Sequence, residues 1–338
     1  MEPSTGESTI SVVIPAHNAE RWISRSIASV LSQTSPASEI IVIDDGSTDD
    51  TLSRIRQMVN SGVKVVQQKN AGVSTARNHG AEVATSLYIA FLDADDEWDS
   101  TFLSTVHDLI RRFPSASLFT TAYRLRFPKG PDVETSVTSL KSKSIIPGKD
   151  YFKYTSDNAF IHTSGVVVPR AKFLKIGGFN KRFAFGEDGE LWARIAMSGV
   201  IAYYNQPKFT FYQTGAGGKP RFQKPLTIDP VLLFVSAEIE SSQDDKQLTR
   251  SLKNFRVHYS HRIVYGLIRS GGWKNAELYM RANNVAICGF NADFINMVVM
   301  ARGMLHLRAF CYAAIRSRMA LRFIGAIRKT INFQQTSP

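Results

Sequence analysis

Ile89-Ala90-Phe91-Leu92-Asp93-Ala94-Asp95-Asp96 is the stretch on which the reading of this chain turns. With Tyr88 before it, the apolar half is a continuous run, as expected of a strand buried on both faces in a parallel sheet. Asp93, Asp95 and Asp96 then concentrate negative charge at the strand's carboxyl end, where open α/β sheets bind ligands. Such a cluster repels itself unless a cation or hydrogen-bond donors compensate it. Hard divalent ions such as Mg²⁺ and Mn²⁺ take oxygen ligands and commonly share them with substrate phosphates. The strand end therefore reads as a place where metal meets diphosphate.

The residues before it repeat one rhythm. Ile10 to Ile14 is an apolar, β-branched strand that Pro15 stops. Glu20 to Ser32 has helical apolar spacing at Trp22, Ile23, Ile27, Val30 and Leu31. Ile40 to Ile43 is a second strand ending in Asp44-Asp45-Gly46-Ser47, with Thr48 or Asp49 capping a helix through Val59. Val63 to Val66, a turn at Asn70-Ala71-Gly72 and a helix over Ser74 to Ala84 lead into the quoted strand. Ser100 to Arg112 is the next helix. Strand and helix in alternation predict a parallel sheet with helical crossovers.

Further on, Leu118 to Tyr123 and Phe160 to Val168 read as strands, and Phe127 to Lys149 as a polar insertion or loop. Leu191 to Ser198 reads as a helix, and Gln206 to Lys224 as a loop around a short strand, Phe209 to Tyr212. From Pro230 the pattern is helical. These features predict an α/β domain over residues 1–225 and a basic helical region over 226–338.

Size and composition agree with an ordinary globular protein: 338 residues, 43% hydrophobic and 21% charged. Two cysteines, Cys288 and Cys311, give neither a disulfide framework nor zinc spacing, which favours a reducing cytoplasm. The polar start, Met1 to Ser8, is unlike a signal peptide. The best candidate span, Val285 to Ala301, is broken by Asn291, Asp293 and Asn296, so no membrane crossing is expected. The net charge is +12, and Ser251 to Thr330 carries 13 Lys/Arg against two acids, or +11. That excess marks a separate physical role for the last quarter.

Taken together, five segments resemble a family 2 glycosyltransferase of the GT-A fold. They are Val12-Val13-Ile14-Pro15-Ala16-His17-Asn18, Ile43-Asp44-Asp45-Gly46-Ser47-Thr48-Asp49, Asn70-Ala71-Gly72 with Ala76-Arg77-Asn78, Leu92-Asp93-Ala94-Asp95-Asp96, and Gly177-Gly178-Phe179 leading to Glu187-Asp188-Gly189-Glu190-Leu191-Trp192. Each falls at a predicted strand end or helix start, in the family's order. The resemblance covers Ser11 to Tyr212. It implies a Rossmann-like, mostly parallel sheet flanked by helices, with the C-terminal helices as an extension.

The resemblance also implies roles. Pro15, Ala16, Asn18, Asp45, Gly72 and Arg77 would surround the nucleotide-sugar, with Asp93 and Ala94 beside the ribose. Asp95 would hold Mg²⁺ or Mn²⁺ on the diphosphate, where a cation neutralises the charge developing on the departing group. Asp188 would be the base that takes the acceptor's hydroxyl proton in a direct, inverting displacement. Apart from the resemblance, Glu187 and Trp192 are read as lying toward the acceptor, and Lys219, Arg221 and Lys224 as a phosphate clamp when the glycine-containing loop closes, with ordinary solvated charge the competing reading. Bland readings stand beside these: Asp44 to Asp49 as turn and helix cap, Glu187 to Glu190 as a helix start, Trp192 as core. One departure from the family's pattern is Tyr212-Gln213-Thr214-Gly215, where many relatives carry Tyr-Arg-x-His.

The expected activity is transfer of a single sugar, from a UDP-sugar most readily, to a glycan or lipid-linked acceptor in cell-surface polysaccharide assembly. The absence of Gln-x-x-Arg-Trp and of membrane spans points away from a processive synthase. Arg318, Arg322 and Lys329 share one side of a helix that suits an anionic membrane surface, and so peripheral attachment on its cytoplasmic face. A packed subdomain with a solvated basic face is the competing reading. No motif supports nucleic-acid binding. The alternative function is a nucleotide-sugar-binding or partner-binding protein without catalysis. A nicotinamide dehydrogenase is disfavoured, because no G-x-G-x-x-G comes after the first strand.

Overall fold

The computed structural model describes residues 8–155, 160–183, 185–213, 228–269 and 273–285. Its first strand, β1 (Ile10–Ala16), is buried along its whole length. Its one hydroxyl, on Ser11, donates to Glu39 at 2.5 Å. The chain continues through α1 (Ile23–Leu31), β2 (Glu39–Asp45), α2 (Thr51–Arg56), β3 (Val63–Gln68), α3 (Val73–Val83), β4 (Tyr88–Phe91), β5 (Glu97–Trp98) and α4 (Phe102–Arg112). Then come β6 (Leu118–Arg126), β7 (Val133–Glu134), β8 (Lys143–Pro147), α5 (Tyr151–Thr155), β9 (Val166–Pro169), α6 (Arg170–Ile176), α7 (Glu187–Met197) and β10 (Val200–Tyr212). The last described elements are helices α8 (Pro230–Ser241), α9 (Lys246–Arg269) and α10 (Trp273–Ala282).

The strands form one mixed sheet in the order β3-β2-β1-β4-β9-β6-β10-β5, with β7 beside β6 and β8 beside β10. Pairing is parallel across β3-β2-β1-β4 and again between β6 and β10. Between those blocks β9 runs antiparallel to both β4 and β6. The chain order reverses at β1, which has β2 on one side and β4 on the other. A crevice opens at such a switch point, beyond the carboxyl ends of the strands.

Pro15 stands in β1 opposite Ile43, so the strand runs one residue past it instead of stopping there. The reason is the alternation of a parallel ladder. Val13 faces β4, since its carbonyl accepts from Leu92 N at 3.1 Å. Pro15, two residues on, faces the same side, where pairing has already ended at Phe91. The missing N–H costs no ladder bond.

Phe91 anchors an aromatic cluster under one face of the sheet, with Phe173, Phe179 and Trp192 at centroid distances of 5.3, 5.5 and 6.0 Å. On the other face Trp98 stacks on Phe102 at 4.2 Å, and Phe209 meets Phe102 edge-on.

Three expectations need correction, and one helix, α6, stands where no element was expected. The 127–149 insertion is not loop throughout, because β8 pairs antiparallel with β10 over Lys143–Pro147. Strand β10 begins at Val200, well before the short strand expected at Phe209. Helix α6 precedes Gly177, which takes φ +88° to end it. Of the strand expected over Phe160 to Val168, only the end is strand. Thr163–Gly165 is a 3₁₀ turn in which a Cβ on Gly165 would sit 2.1 Å from the Phe209 ring.

By internal contacts the chain has two units, Met1–Lys219 with Asp229–Phe255, and Pro220–Ile228 with Arg256–Pro338. In the first, α8 packs on α7, and its N-terminus is capped by Asp229, which accepts from Val231 N and Leu232 N. In the second, Arg256 donates to the carbonyls of Asn283 and Asn284 beyond α10. Among the described residues no helix is long and apolar enough to cross a membrane.

Candidate active site

At the end of β2, Asp45 is buried and braces a turn. Its Oδ1 accepts from Gln68 Nε2 at 2.7 Å and Ala71 N at 2.8 Å, and its Oδ2 accepts from Gly72 N at 2.9 Å. Both oxygens are therefore engaged by the segment that leads into α3. Gly46 beside it has φ +68°, and a Cβ there would lie 2.8 Å from Asn70 N, so only glycine lets the two loops meet. Asn18, at φ +50°, closes the β1 side: its Oδ1 accepts from Thr48 N at 2.8 Å. His17 joins the two loops, with Nδ1 2.9 Å from the Asp45 carbonyl and Asn70 Nδ2 within 3.2 Å of its ring nitrogens. Pro15 and Ala16 are buried at the base, and Gly72 is exposed at the N-terminus of α3.

Arg77 projects from α3, and the resemblance places it at the nucleotide. The structure turns it inward. It is 5% exposed, with Nη2 donating to Asp93 Oδ1 at 2.6 Å and Nη1 to Glu187 Oε1 at 3.4 Å. One guanidinium thus ties the end of β4 to the start of α7. Burial alone would push its proton affinity down, but the charges of Asp93 and Glu187, with Asp188 further off, raise it.

Asp95 carries the opposite imbalance. Burial first, then the charge of Asp93, push its carboxyl up to about 6, with Arg25 and Arg77 only partly offsetting them. Ala94, between the two acids, packs partly against the core. Asp96 is wholly buried, and burial plus its two acidic neighbours push its carboxyl well up. It accepts from Ser164 Oγ and from Tyr212 N at 3.1 Å.

Asp188 lies at the start of α7, half-buried, its Oδ1 accepting from Gly189 N at 2.7 Å. Burial and then Asp188 raise the carboxyl of Glu187, against the pull of Arg77. The turn before this helix is clamped from two sides. Asn78 Nδ2 donates to Phe179 O, and Phe179 N donates to Asn78 Oδ1, both at 2.8 Å. Arg194 donates to the carbonyls of Ile176 and Gly178 and is itself held by both oxygens of Glu190. The acceptor-side role of Trp192 needs correction: it is 1% exposed, in the Phe91 cluster, with Nε1 on Thr163 Oγ1, and presents no ring face to a sugar. Lys219, Arg221 and Lys224 lie outside the described residues, as do Arg318, Arg322 and Lys329.

Among the described residues no three His, Cys, Asp or Glu side chains converge as a metal cage. The two acids present still suit Mg²⁺ or Mn²⁺, which keep waters and take phosphate oxygens around one or two carboxylates. Asp95 is the better placed, since Asp93 already accepts from Arg77.

The profile of glycosyl transferase family 2 matches residues 11–172. TuaG of Bacillus subtilis, named as a putative teichuronic acid biosynthesis glycosyltransferase, is 33% identical over 197 residues, which are 57% of this chain and 74% of TuaG. This chain belongs to glycosyl transferase family 2. Similarity extends to WfgD of Escherichia coli, a UDP-Glc:α-D-GlcNAc-diphosphoundecaprenol β-1,3-glucosyltransferase, at 29% identity over 58% of this chain and 73% of WfgD. YibD of E. coli K12, an uncharacterized glycosyltransferase, is 43% identical over 99 residues, and the chain spans only 29% of its length. Among solved structures, Staphylococcus aureus TarS aligns at a TM-score of 0.59 with 17% identity, over 74% of this chain and 43% of TarS. A TarS fragment crystallised with UDP-GlcNAc aligns at 0.55 with 16% identity, over 82% and 90%. At such identity the likeness is one of fold.

The family 2 match ends at 172, before Asp188, Arg194 and β10. Arg77 and Asn78, adjacent on α3, join the matched part to the segment around α7, one through Glu187 and the other through Phe179.

Proposed function

We propose that this family 2 glycosyltransferase moves a single sugar, with inversion, from a UDP-sugar to a hydroxyl of a glycan or lipid-linked acceptor during cell-surface polysaccharide assembly. The observation that carries the reading is the Arg77 bridge, which brings the Asp93–Asp95 turn and the Glu187–Asp188 helix start to one place. The relatives support the substrate class: WfgD is named for a UDP-glucose donor and a lipid-linked acceptor, and one TarS fragment was crystallised with UDP-GlcNAc.

In this reading the 16–18, 45–48 and 70–72 loops seat the nucleoside. Asp95, with Asp93 beside it, holds Mg²⁺ or Mn²⁺, which supplies charge neutralisation at the diphosphate. Asp188 accepts the acceptor's hydroxyl proton as that oxygen bonds to the anomeric carbon. The bond from that carbon to the phosphate oxygen breaks, and its electron pair leaves with UDP. Glu187, tied to Arg77, fixes where the helix start lies.

The test is turnover of a panel of nucleotide-sugars with Mn²⁺, read as nucleoside diphosphate release, for wild type and Asp188→Asn. A loss of ~10²–10⁴ in rate with donor binding retained is expected for removal of a positioned base. Wild-type rates in Asp188→Asn would remove Asp188 from that role. Donor binding without turnover in the wild type would leave the non-catalytic, nucleotide-sugar-binding alternative.

We also infer that the basic C-terminal region, +11 over Ser251 to Thr330, meets an anionic membrane surface on its cytoplasmic face. Flotation with anionic vesicles should carry the wild type and lose an Arg/Lys→Glu tail variant. Equal behaviour of the two proteins sinks the idea.

A further inference from the structure

Helix α1 holds the turn after β4 from one side. Ser26 Oγ donates to Asp93 O at 3.3 Å, Arg25 Nη2 donates to Asp95 O at 2.6 Å, and Trp98 N donates to Ser29 Oγ at 3.1 Å. Of these three side chains only Arg25 brings charge. Its guanidinium also lies 3.7 Å from the centroid of the Tyr212 ring, and its Nε is 3.7 Å from Glu97 Oε2. That Nε is buried and makes no hydrogen bond of its own.

Tyr212 binds the same turn from the far side. Its backbone N–H donates to Asp96 Oδ1 at 3.1 Å, and its hydroxyl to Glu97 Oε2 at 2.7 Å. Three consecutive residues are thus fixed by one arginine–tyrosine stack: Asp95 through its carbonyl, Asp96 through its carboxylate and Glu97 through both partners. Each contact uses a different property of the guanidinium. One terminal nitrogen donates, the charge faces Glu97, and the flat face stacks.

We propose that Arg25 is a positioning residue for diphosphate binding, fixing the Asp95 main chain so that the carboxylate meets a divalent cation in one orientation. The proposal rests on the reading of Asp95 as the metal residue. A lysine supplies the charge and a donor but not the flat face that stacks on Tyr212, so Arg25→Lys should fall between wild type and Arg25→Ala.

The experiment measures Mn²⁺ binding to the full-length chain in the presence of UDP, by the loss of the free-Mn²⁺ electron paramagnetic resonance signal. No turnover is needed. Removing a residue that orients a metal ligand typically weakens binding ~10–100-fold, and a loss in that range is expected for Arg25→Ala, with a smaller one for Arg25→Lys. Thermal melting of each variant separates this from misfolding. If Arg25→Ala does not fold, Arg25→Lys alone decides, through its Mn²⁺ affinity at an unchanged melting point. Variants that fold and bind Mn²⁺ with UDP as the wild type does overturn the role of Arg25 and leave Asp95 standing. A wild type that binds no Mn²⁺ with UDP overturns both.

Discussion

Asn78 and Phe179, 101 residues apart, hold each other by a matched pair of hydrogen bonds, amide to carbonyl and N–H to amide oxygen. Between them sits Gly178 at φ +61°, where a Cβ would lie 2.4 Å from Asn78 Oδ1. This contact explains why an asparagine on α3 and a glycine pair ahead of α7 occur in the same chain.

Asn78→Ala strands two buried backbone groups of Phe179 at ~1–3 kcal/mol each, so urea denaturation should show a loss of about 3 kcal/mol. Gly178→Ala should destabilise by strain and collision. In the double variant the collision partner is gone, so the two losses should fall short of their sum by ~1 kcal/mol or more. Simple additivity would mean that the two residues do not share one contact.

Arg77→Ala leaves Asp93 and Glu187 without the cation between them. Breaking a buried ion pair from one side costs ~3–5 kcal/mol, and partial exposure of Asp93 puts this case at the lower end. Donor turnover should fall with stability, since both ends of the site lose their tie. Retention of the wild-type urea midpoint would show that the bridge does not hold the fold.

Asp95 sets a pH dependence whose sign can be worked out. Its folded carboxyl is raised from 3.8 to about 6, so between those values the folded chain binds more protons than the unfolded one. Stability of the metal-free protein from this group therefore falls as pH rises through the window and is level above it. Asp96 and Glu187 are pushed the same way, so the comparison must be with Asp95→Asn, which should melt with a shallower slope over that window. Parallel melting curves for the two proteins would contradict the burial of the Asp95 charge.

Trp192→Ala should cost roughly 3–5 kcal/mol, as for other large aromatic truncations in a core. Trp192→Phe should lower the melting point through loss of the Thr163 hydrogen bond and leave the acceptor KM unchanged. A rise in acceptor KM at unchanged stability would return Trp192 to the acceptor side.

The parallel half of the fold is legible in the sequence because its signals are local. Apolar runs mark β1, β2 and β4, helical spacing marks α1, α3 and α4, and turn residues separate them. The acids at the strand ends are legible for the same reason. Partners fixed by tertiary contact are not. Asn78 stands in a recognised segment with no assigned role, because its partner is 101 residues away. Arg77 looks like a ligand contact until its burial between two acids is seen. Strand β8 escapes because Lys143-Ser144-Ile145-Ile146-Pro147 is short, lacks alternation and ends in proline, which suits an edge as readily as a loop. Ser164 and Arg25 give no sequence signal, since a lone serine or arginine near a loop is commonplace.

Pro15 has a consequence beyond its own strand. Leu92 N donates to the Val13 carbonyl, and two residues on the proline offers no N–H to carry the first and fourth strands further together. Past that point the two strand ends part, the first leading to Asn18 and the fourth to Asp93 and Asp95.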